Sequence, residues 1–531
     1  MLFKALQSLP KRGGRKIDAL CKLGFGKPPL LGQGREDFQI AIVKFQGHAV
    51  TMSMQSALVN CHEKDKLEIM TIWNALPKKL DRPAYRSLAD WISAAIKRGD
   101  LAGGEKLPPH RDLSYKLAIS VQTVSRAYDL LIRRGLVKGE VGRGTYVNAR
   151  PVETSPPYLP HLIGDQLVDF SNLKPVTGQL HMDCMRRALS GLSSDISESA
   201  LLSFRPATTL RPYLPAAVSW LEQCGLTCSS DQIIMTNGSS SAMAIALMTA
   251  IDGSDVIATD AVCHYPLSRL SQYMNFNLAG LPVDEEGILP TALDEMCRQK
   301  SIKALFLLPN GLGPMALTMG LQRREQLVTL ARKYDLLIIE NDAWGPLQPR
   351  RFPPIADLAP DRTFYFTSFT KCLLPGLRHG YLVAPEAFAS AASNRHLVMD
   401  WIATPFMAEL AARWIEDGTA EELLSWQKTA LKRRNTLAHE LLEGVPFNKS
   451  LNGLHIWLPL PDEWGEDSFI EAARQKGIVV APGSAFALPG AAAAPGVRIC
   501  LGNMAEDQFI FGMQQLAALC HSKPEAEVFV L

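Results

Sequence analysis

Beyond residue 167 the spacing of apolar positions keeps switching between two periods. Short runs rich in β-branched and aromatic residues, Gln232 to Thr236, Asp255 to Thr259, Leu278 to Pro282, Lys303 to Pro309 and Leu336 to Glu340, predict buried strands. Stretches between them, such as Ser239 to Ala250 and Leu321 to Tyr334, carry apolar residues at helical spacing. This alternation predicts an α/β domain with a mostly parallel sheet covered by helices, where ligands gather at the carboxyl ends of the strands. After about Arg433, GLHIWLPL, KGIVVAPGSAF and GVRICLGN predict the strands of a smaller α/β domain.

A different pattern precedes this one. Leu88, Trp91, Ile92 and Ile96 lie at helical spacing and stop at Gly99, which predicts a helix after Pro83. Two more helical patterns, Arg111 to Leu117 and Val121 to Arg134, are separated only by Ala118-Ile119-Ser120, with Ser120 placed to cap the second. That is a helix-turn-helix. Gly135, Gly142 and Gly144 then punctuate two strand-like runs, Leu136 to Val141 and Thr145 to Val147, a hairpin suited to be a wing. Leu107, Leu113, Leu117, Val124, Tyr128 and Leu131 are the expected core of this module.

Length and charge divide the chain in the same way. Its 531 residues exceed one ordinary core, and 47% hydrophobic with 20% charged residues is the composition of a water-soluble globular protein. No apolar run reaches the roughly 18 residues that span a bilayer, so no membrane partner and a cytoplasmic location are expected. The ten cysteines form no Cys-x-x-Cys pairs, which predicts reduced thiols and no metal site. Net charge is only +2, yet Thr71 to Arg150 holds fifteen Lys/Arg against seven Asp/Glu. A basic module thus sits on a mildly acidic body. Residues 1–69, basic at the start and punctuated by Gly and Pro, read as a disordered tail or an over-called translation start. The winged module is assigned to 70–149, a proline-rich linker to 150–166 and the large domain to 167–531.

The densest chemistry lies in TFYFTSFTKCLLPGLRHGYLVAP, Thr363 to Pro385. A strand-like run hands over to Ser368, Thr370 and Lys371, and Arg378 follows Pro375-Gly376, so one turn presents an amine, two hydroxyls and a guanidinium around one point. Lysine makes an imine with an aldehyde, while hydroxyls and arginine bind phosphate, and pyridoxal phosphate carries both groups. The order Ser-Phe-Thr-Lys, Pro-Gly-Leu-Arg, Gly-Tyr resembles the cofactor loop of fold-type I pyridoxal phosphate enzymes, the aspartate aminotransferase superfamily. The resemblance implies Lys371 as the imine-forming residue and Ser368, Thr370 and Arg378 at the phosphate. It also implies Gly238, Ser239 and Ser240, at the start of a helix, as further phosphate ligands. Tyr265 is implied as the ring that stacks on the cofactor and Arg498 as the clamp for a ligand carboxylate. The sequence departs from the family where Gly313 replaces an asparagine and Trp344 a tyrosine. The family's ring-protonating aspartate falls on Asn341, with Asp342 one residue on, and strand alternation lets only one of the two meet the ring.

The upstream module resembles GntR-type winged helices on Gly99, Leu101, Gly104, Leu107, Pro108 and Arg111, and on the Gly-Arg-Gly-Thr-Tyr-Val of the wing. Gln122, Thr123, Ser125 and Arg126 open the second helix, where a recognition helix meets base edges and phosphates. Arg111 is placed for the DNA backbone and Arg143 on the wing for a minor groove. The combination resembles MocR-type regulators. It implies a homodimer that binds double-stranded promoter DNA and senses a small amine or amino acid by imine exchange at Lys371. A working aminotransferase with an appended DNA-binding domain is the alternative.

Overall fold

The computed structural model describes residues 43–45, 48–50, 73, 80, 82–98, 100–140, 144–148, 167–203, 205–348, 352–450, 453–488, 495–502 and 504–524. Apart from a short antiparallel pair, Val43–Phe45 with His48–Val50, the segment read as a tail or over-called start lies outside the described residues, as does the whole of the linker. The chain divides into two compact units, Met1–Pro151 and Val152–Leu531.

In the first unit, helices α1 (Ala84–Arg98), α2 (His110–Leu117) and α3 (Val121–Arg133) precede an antiparallel hairpin, β1 (Val137–Glu140) and β2 (Gly144–Val147). Leu88, Ile92, Leu107, Leu113, Val124, Tyr128 and Leu131 are all buried between the helices, as their spacing predicts. The turn after α2 works because Ala118 adopts a left-handed conformation and its N–H closes onto Ser114 and Tyr115. Ser120 then caps α3, its hydroxyl accepting from the Thr123 N–H at 3.0 Å. Tyr128 reaches back to the Pro108 carbonyl at 2.8 Å and locks α3 against the segment before α2.

The second unit is built on a seven-stranded sheet. Its strands are β3 (Ile233–Thr236), β4 (Val256–Asp260), β5 (Asn277–Leu281), β6 (Ala304–Leu307), β7 (Leu337–Asn341), β8 (Thr363–Ser368) and β9 (Gly380–Val383). They lie in the order β3-β9-β8-β7-β6-β4-β5, parallel except on both sides of β9. Helices cover both faces, among them α4 (Ser239–Ala250) on one side and α5 (Leu321–Lys333) on the other. Side-chain alternation sorts the strands between two cores: Phe306 and Ile339 pack with α4, while Leu305, Leu307 and Ile338 pack with α5.

The smaller domain is a four-stranded antiparallel sheet of β10 (Asn448–Lys449), β11 (His455–Pro459), β12 (Ala481–Pro482) and β13 (Gly496–Cys500), in the order β10-β11-β13-β12. A 23-residue helix, Thr419–Leu441, runs through the boundary expected near Arg433. Leu423, Leu424 and Leu431 join the large core and Ala438 the small one. Residues 168–170 return to the small domain, where Val168–Asp169 pairs in parallel with Ile478–Val479.

Candidate functional site

The carboxyl ends of β3, β7 and β8 and one face of the β11–β13 sheet surround Lys371. β3 ends at Thr236, and Gly238, at φ +87°, turns the chain into α4 so that the helix N-terminus faces the cleft. A side chain is excluded there twice over. The left-handed φ strains any other residue, and a Cβ would lie 3.2 Å from Arg378 Nη2. Arg378 Nη1 donates to Thr370 Oγ1 at 3.4 Å and Nη2 to the Asn237 carbonyl at 3.5 Å. Asn237 Oδ1 in turn accepts from the N–H and hydroxyl of Thr404, and Ser241 donates to Asp400, so the segment after residue 399 braces this helix start. Ser368 is buried and its hydroxyl has no partner. Gly238, Ser239, Thr370 and Arg378 thus come together as their motifs imply; Ser240 is at the same helix start and exposed.

Lys371 Nζ donates to the Leu173 carbonyl. Burial pushes its pKa down to about 8, and the positive charges of Arg498, Arg378 and Lys174 act in the same direction against the opposing influence of Cys500. A larger neutral fraction near neutrality makes this amine a better nucleophile than a surface lysine.

Strand alternation resolves what Asn341 and Asp342 face. Asn341 lies on the side of Ile339, in the core shared with Phe306, and His264 stacks on Phe306 with 6.3 Å between ring centroids. His264 is held down to about 3 by burial, then by the charges of Lys371 and Arg498. Asp342 turns the other way from Asn341. Its oxygens accept from Asn310 Nδ2 at 3.0 Å and Tyr365 OH at 2.6 Å, and Asn310 is itself held by Arg324 at 2.7 Å. Asn341 Oδ1 accepts from the Ala343 N–H at 3.1 Å.

Trp344 is fully buried with its indole N–H unpartnered, and His455 meets it edge-on at 5.9 Å. His455 comes from β11 of the small domain and donates from Nε2 to the Gly313 carbonyl at 2.8 Å. It takes up the side of the cleft where the family's asparagine is missing. Two residues on each strand place the rest: register pairs His455 with Cys500 and Trp457 with Arg498, so one sheet face carries all four. Arg498 donates to the Ser171 carbonyl at 2.7 Å, lies 4.8 Å over the Phe486 ring, and keeps a buried, unpartnered Nε. Tyr265 accepts at its hydroxyl from Arg269 Nε at 2.7 Å, the guanidinium covers its ring, and it packs with Trp457, Met315 and Phe486, the ring beneath Arg498.

Residues 212–509 match the family Aminotransferase class I and II. The chain belongs to that family. Residues 84–147 match the bacterial regulatory proteins of the gntR family, so a helix-turn-helix DNA-binding domain precedes the aminotransferase class I and II domain. Among curated proteins, an uncharacterized HTH-type transcriptional regulator of Bacillus subtilis, YdeF, is 27% identical over 435 residues, covering 80% of this chain and 92% of that protein. The HTH-type pyridoxine biosynthesis transcriptional regulator PdxR of Corynebacterium glutamicum is 26% identical, covering 68% of this chain and 79% of that one. A kynurenine aminotransferase of Pyrococcus horikoshii shares the fold of the second unit, with a TM-score of 0.62 at 24% identity over 67% of this chain and 91% of that one. This is a transcriptional regulator of combined gntR and aminotransferase-like build, and the cofactor of the aminotransferase domain is pyridoxal phosphate. The cleft of this chain fits that group. A helix start is kept open by Gly238, a half-buried amine is poised near neutrality, and Ser368 Oγ, Trp344 Nε1 and Arg498 Nε are buried polar atoms with no partner among the described residues.

In the winged helix, Arg111, Gln122 and Arg126 are exposed, and Arg126 lies 5.6 Å over Tyr85. Ser125 is half-buried, and Thr123 is engaged by the cap, its hydroxyl 2.8 Å from that of Ser120. Arg143 lies outside the described residues. No helix among the described residues is long and apolar enough to cross a membrane. The sequence gives little sign of His264 and His455, since their partners stand far away in the chain.

Proposed function

We propose that this regulator senses a small primary amine or amino acid at Lys371 and answers with a change in its affinity for promoter DNA. The observation that carries the reading is Lys371 itself, a half-buried amine with a pKa near 8 set between the Gly238–Arg378 cradle and Arg498. When bound, pyridoxal phosphate supplies an aldehyde that condenses with primary amines and a ring that accepts electrons. Gly238, Ser239, Ser240, Ser368, Thr370 and Arg378 hold its phosphate, with the helix N-terminus adding backbone N–H donors. Lys371 presents the amine with which an incoming amine competes, and Arg498 takes the carboxylate of an amino-acid ligand through paired N–H donors. Asn341, at the position the family gives to an aspartate, would have no acidic proton to offer the ring, so this chain is built to bind amines more than to turn them over.

Ligand and DNA are linked: an amine that changes DNA affinity is itself bound more or less tightly by the DNA-bound protein, by the same factor. Arg111, Gln122, Thr123, Ser125, Arg126 and Arg143 form the DNA contact in this reading. Val398, Met399 and Trp401, exposed apolar side chains beside the turn that braces the phosphate cradle, support a homodimer covering that edge. DNA as partner implies a cytoplasmic location.

The test combines colour and footprinting. The purified holo-protein is expected to absorb in the visible range, and Lys371→Ala to lose that band entirely. Amines that shift the band are expected to alter the footprint on the DNA beside the protein's own gene. Keto-acid production sustained over many turnovers would instead favour the aminotransferase reading.

A further inference from the structure

Asp260 ends β4, half-buried, and faces the backbone at Gly313, where a Cβ would lie 3.7 Å from its Oδ2. Among the described residues its carboxylate meets no side-chain donor, and burial pushes its pKa up to about 7. It lines a cavity of about 20 Å³, room for one water-sized group, with Leu307, Leu308, Gly313, Met315 and Glu286. Glu286 already has a cation, Arg323 at 3.7 Å; Asp260 has none.

A second acceptor stands beside the same glycine. The Gly313 carbonyl can only accept, so His455 Nε2 carries the hydrogen and Nδ1 is left as a lone pair, buried and without a partner. An acceptor with no partner, His455 Nδ1, and a carboxylate that meets only a backbone N–H among the described residues, Asp260, therefore adjoin a residue that has no side chain of its own. Drawing a carboxylate partly out of water without a counter-charge is costly, and an incoming cation lowers that cost. The cavity also borders the ligand cleft. Met315 lines it and packs with Phe486, the ring beneath the Arg498 guanidinium.

We infer that the space around Gly313 is a subsite for a second ammonium group on the ligand, held by the Asp260 carboxylate, so that the preferred effector is a diamino acid. Its carboxylate lies on Arg498, its α-amine toward Lys371 and its distal ammonium at Asp260. This rests on the amine-sensing reading above and adds the class of amine.

Titration of the holo-protein with L-ornithine, L-lysine and L-norleucine, read by the visible band and by calorimetry, tests it. Norleucine has the length of lysine without the second amine. The better of the two diamino acids is expected to bind roughly 10- to 100-fold tighter than norleucine, the range for a buried charge-assisted hydrogen bond. Asp260→Asn is expected to erase that preference and to leave norleucine affinity as it was. Equal binding of norleucine in the wild type overturns the inference, whether or not the variant folds, and so does a preference that survives Asp260→Asn. If all three amines leave the band unchanged, the amine-sensing reading falls and takes this one with it; if they bind alike, only the subsite falls.

Discussion

At one end of the cleft, Gly238, Ser368, Thr370 and Arg378 converge beside Lys371 with the residue types that a phosphate and an aldehyde require. At the other end, Asn341, Gly313 and Trp344 stand where the family resemblance asks for an aspartate, an asparagine and a tyrosine. His455 of the small domain has moved into the room beside Gly313. One end serves attachment and the other serves the electronics of the ring. On the proposed function, a site that keeps the first and alters the second would separate holding an amine from converting it, because attachment depends on Lys371 and the cradle while turnover depends on protonating the ring nitrogen.

Experiments on each end sharpen or break this separation. The largest effect is expected from pH at the attachment end. In the cofactor-free protein Lys371 titrates near 8 against 10.5 for a free lysine, so between those values the unfolded chain binds more protons than the folded one. Stability should therefore rise with pH across that window, by up to roughly 3 kcal/mol, less whatever water in the cleft screens. Urea melts at pH 8 and 10.5 should show this rise in the wild type and a flatter response in Lys371→Met; parallel curves would place the amine in ordinary solvent.

At the ring end, Asn341→Asp is nearly isosteric, and a carboxylate can still accept from the Ala343 N–H, so the fold should persist. Keto-acid production is expected to rise on the order of 10²-fold, the scale of one well-placed catalytic group. No gain at all would mean that Asn341 is not what limits turnover. Gly238→Ala acts back on the cradle, where strain at φ +87° and crowding of Arg378 cost about 1–2 kcal/mol. Cofactor affinity should drop roughly tenfold, while the wavelength of the bound band stays put. The smallest effect lies outside both ends: Arg126→Ala should lower the salt slope of DNA binding by about 1 and leave the absorbance spectrum untouched.

Much of this was legible from spacing alone. Ser239 to Ala250 was read as a helix to the residue, and the helix-turn-helix to within one or two, because each depends on a local apolar period and a nearby cap. The domain boundary near Arg433 was less well placed. The change of core happens inside Thr419–Leu441, where helical periodicity runs on unbroken and only the partners of the apolar face change. Asn341 and Asp342 show the same limit on a smaller scale. Alternation says that they point opposite ways, but not which way the lysine lies.

What the chain alone determined was every feature whose cause is near in sequence: the winged module, the alternating strands and helices, and the loop that groups Ser368, Thr370, Lys371 and Arg378. The tertiary structure decided which partners hold Asn341 and Asp342, that His455 reaches a carbonyl 142 residues away, and that Asp260 lines a cavity with no cation beside it among the described residues. Local pattern records how a segment relates to water. It does not record which other segment closes over it, and the chemistry of a buried acceptor depends on that.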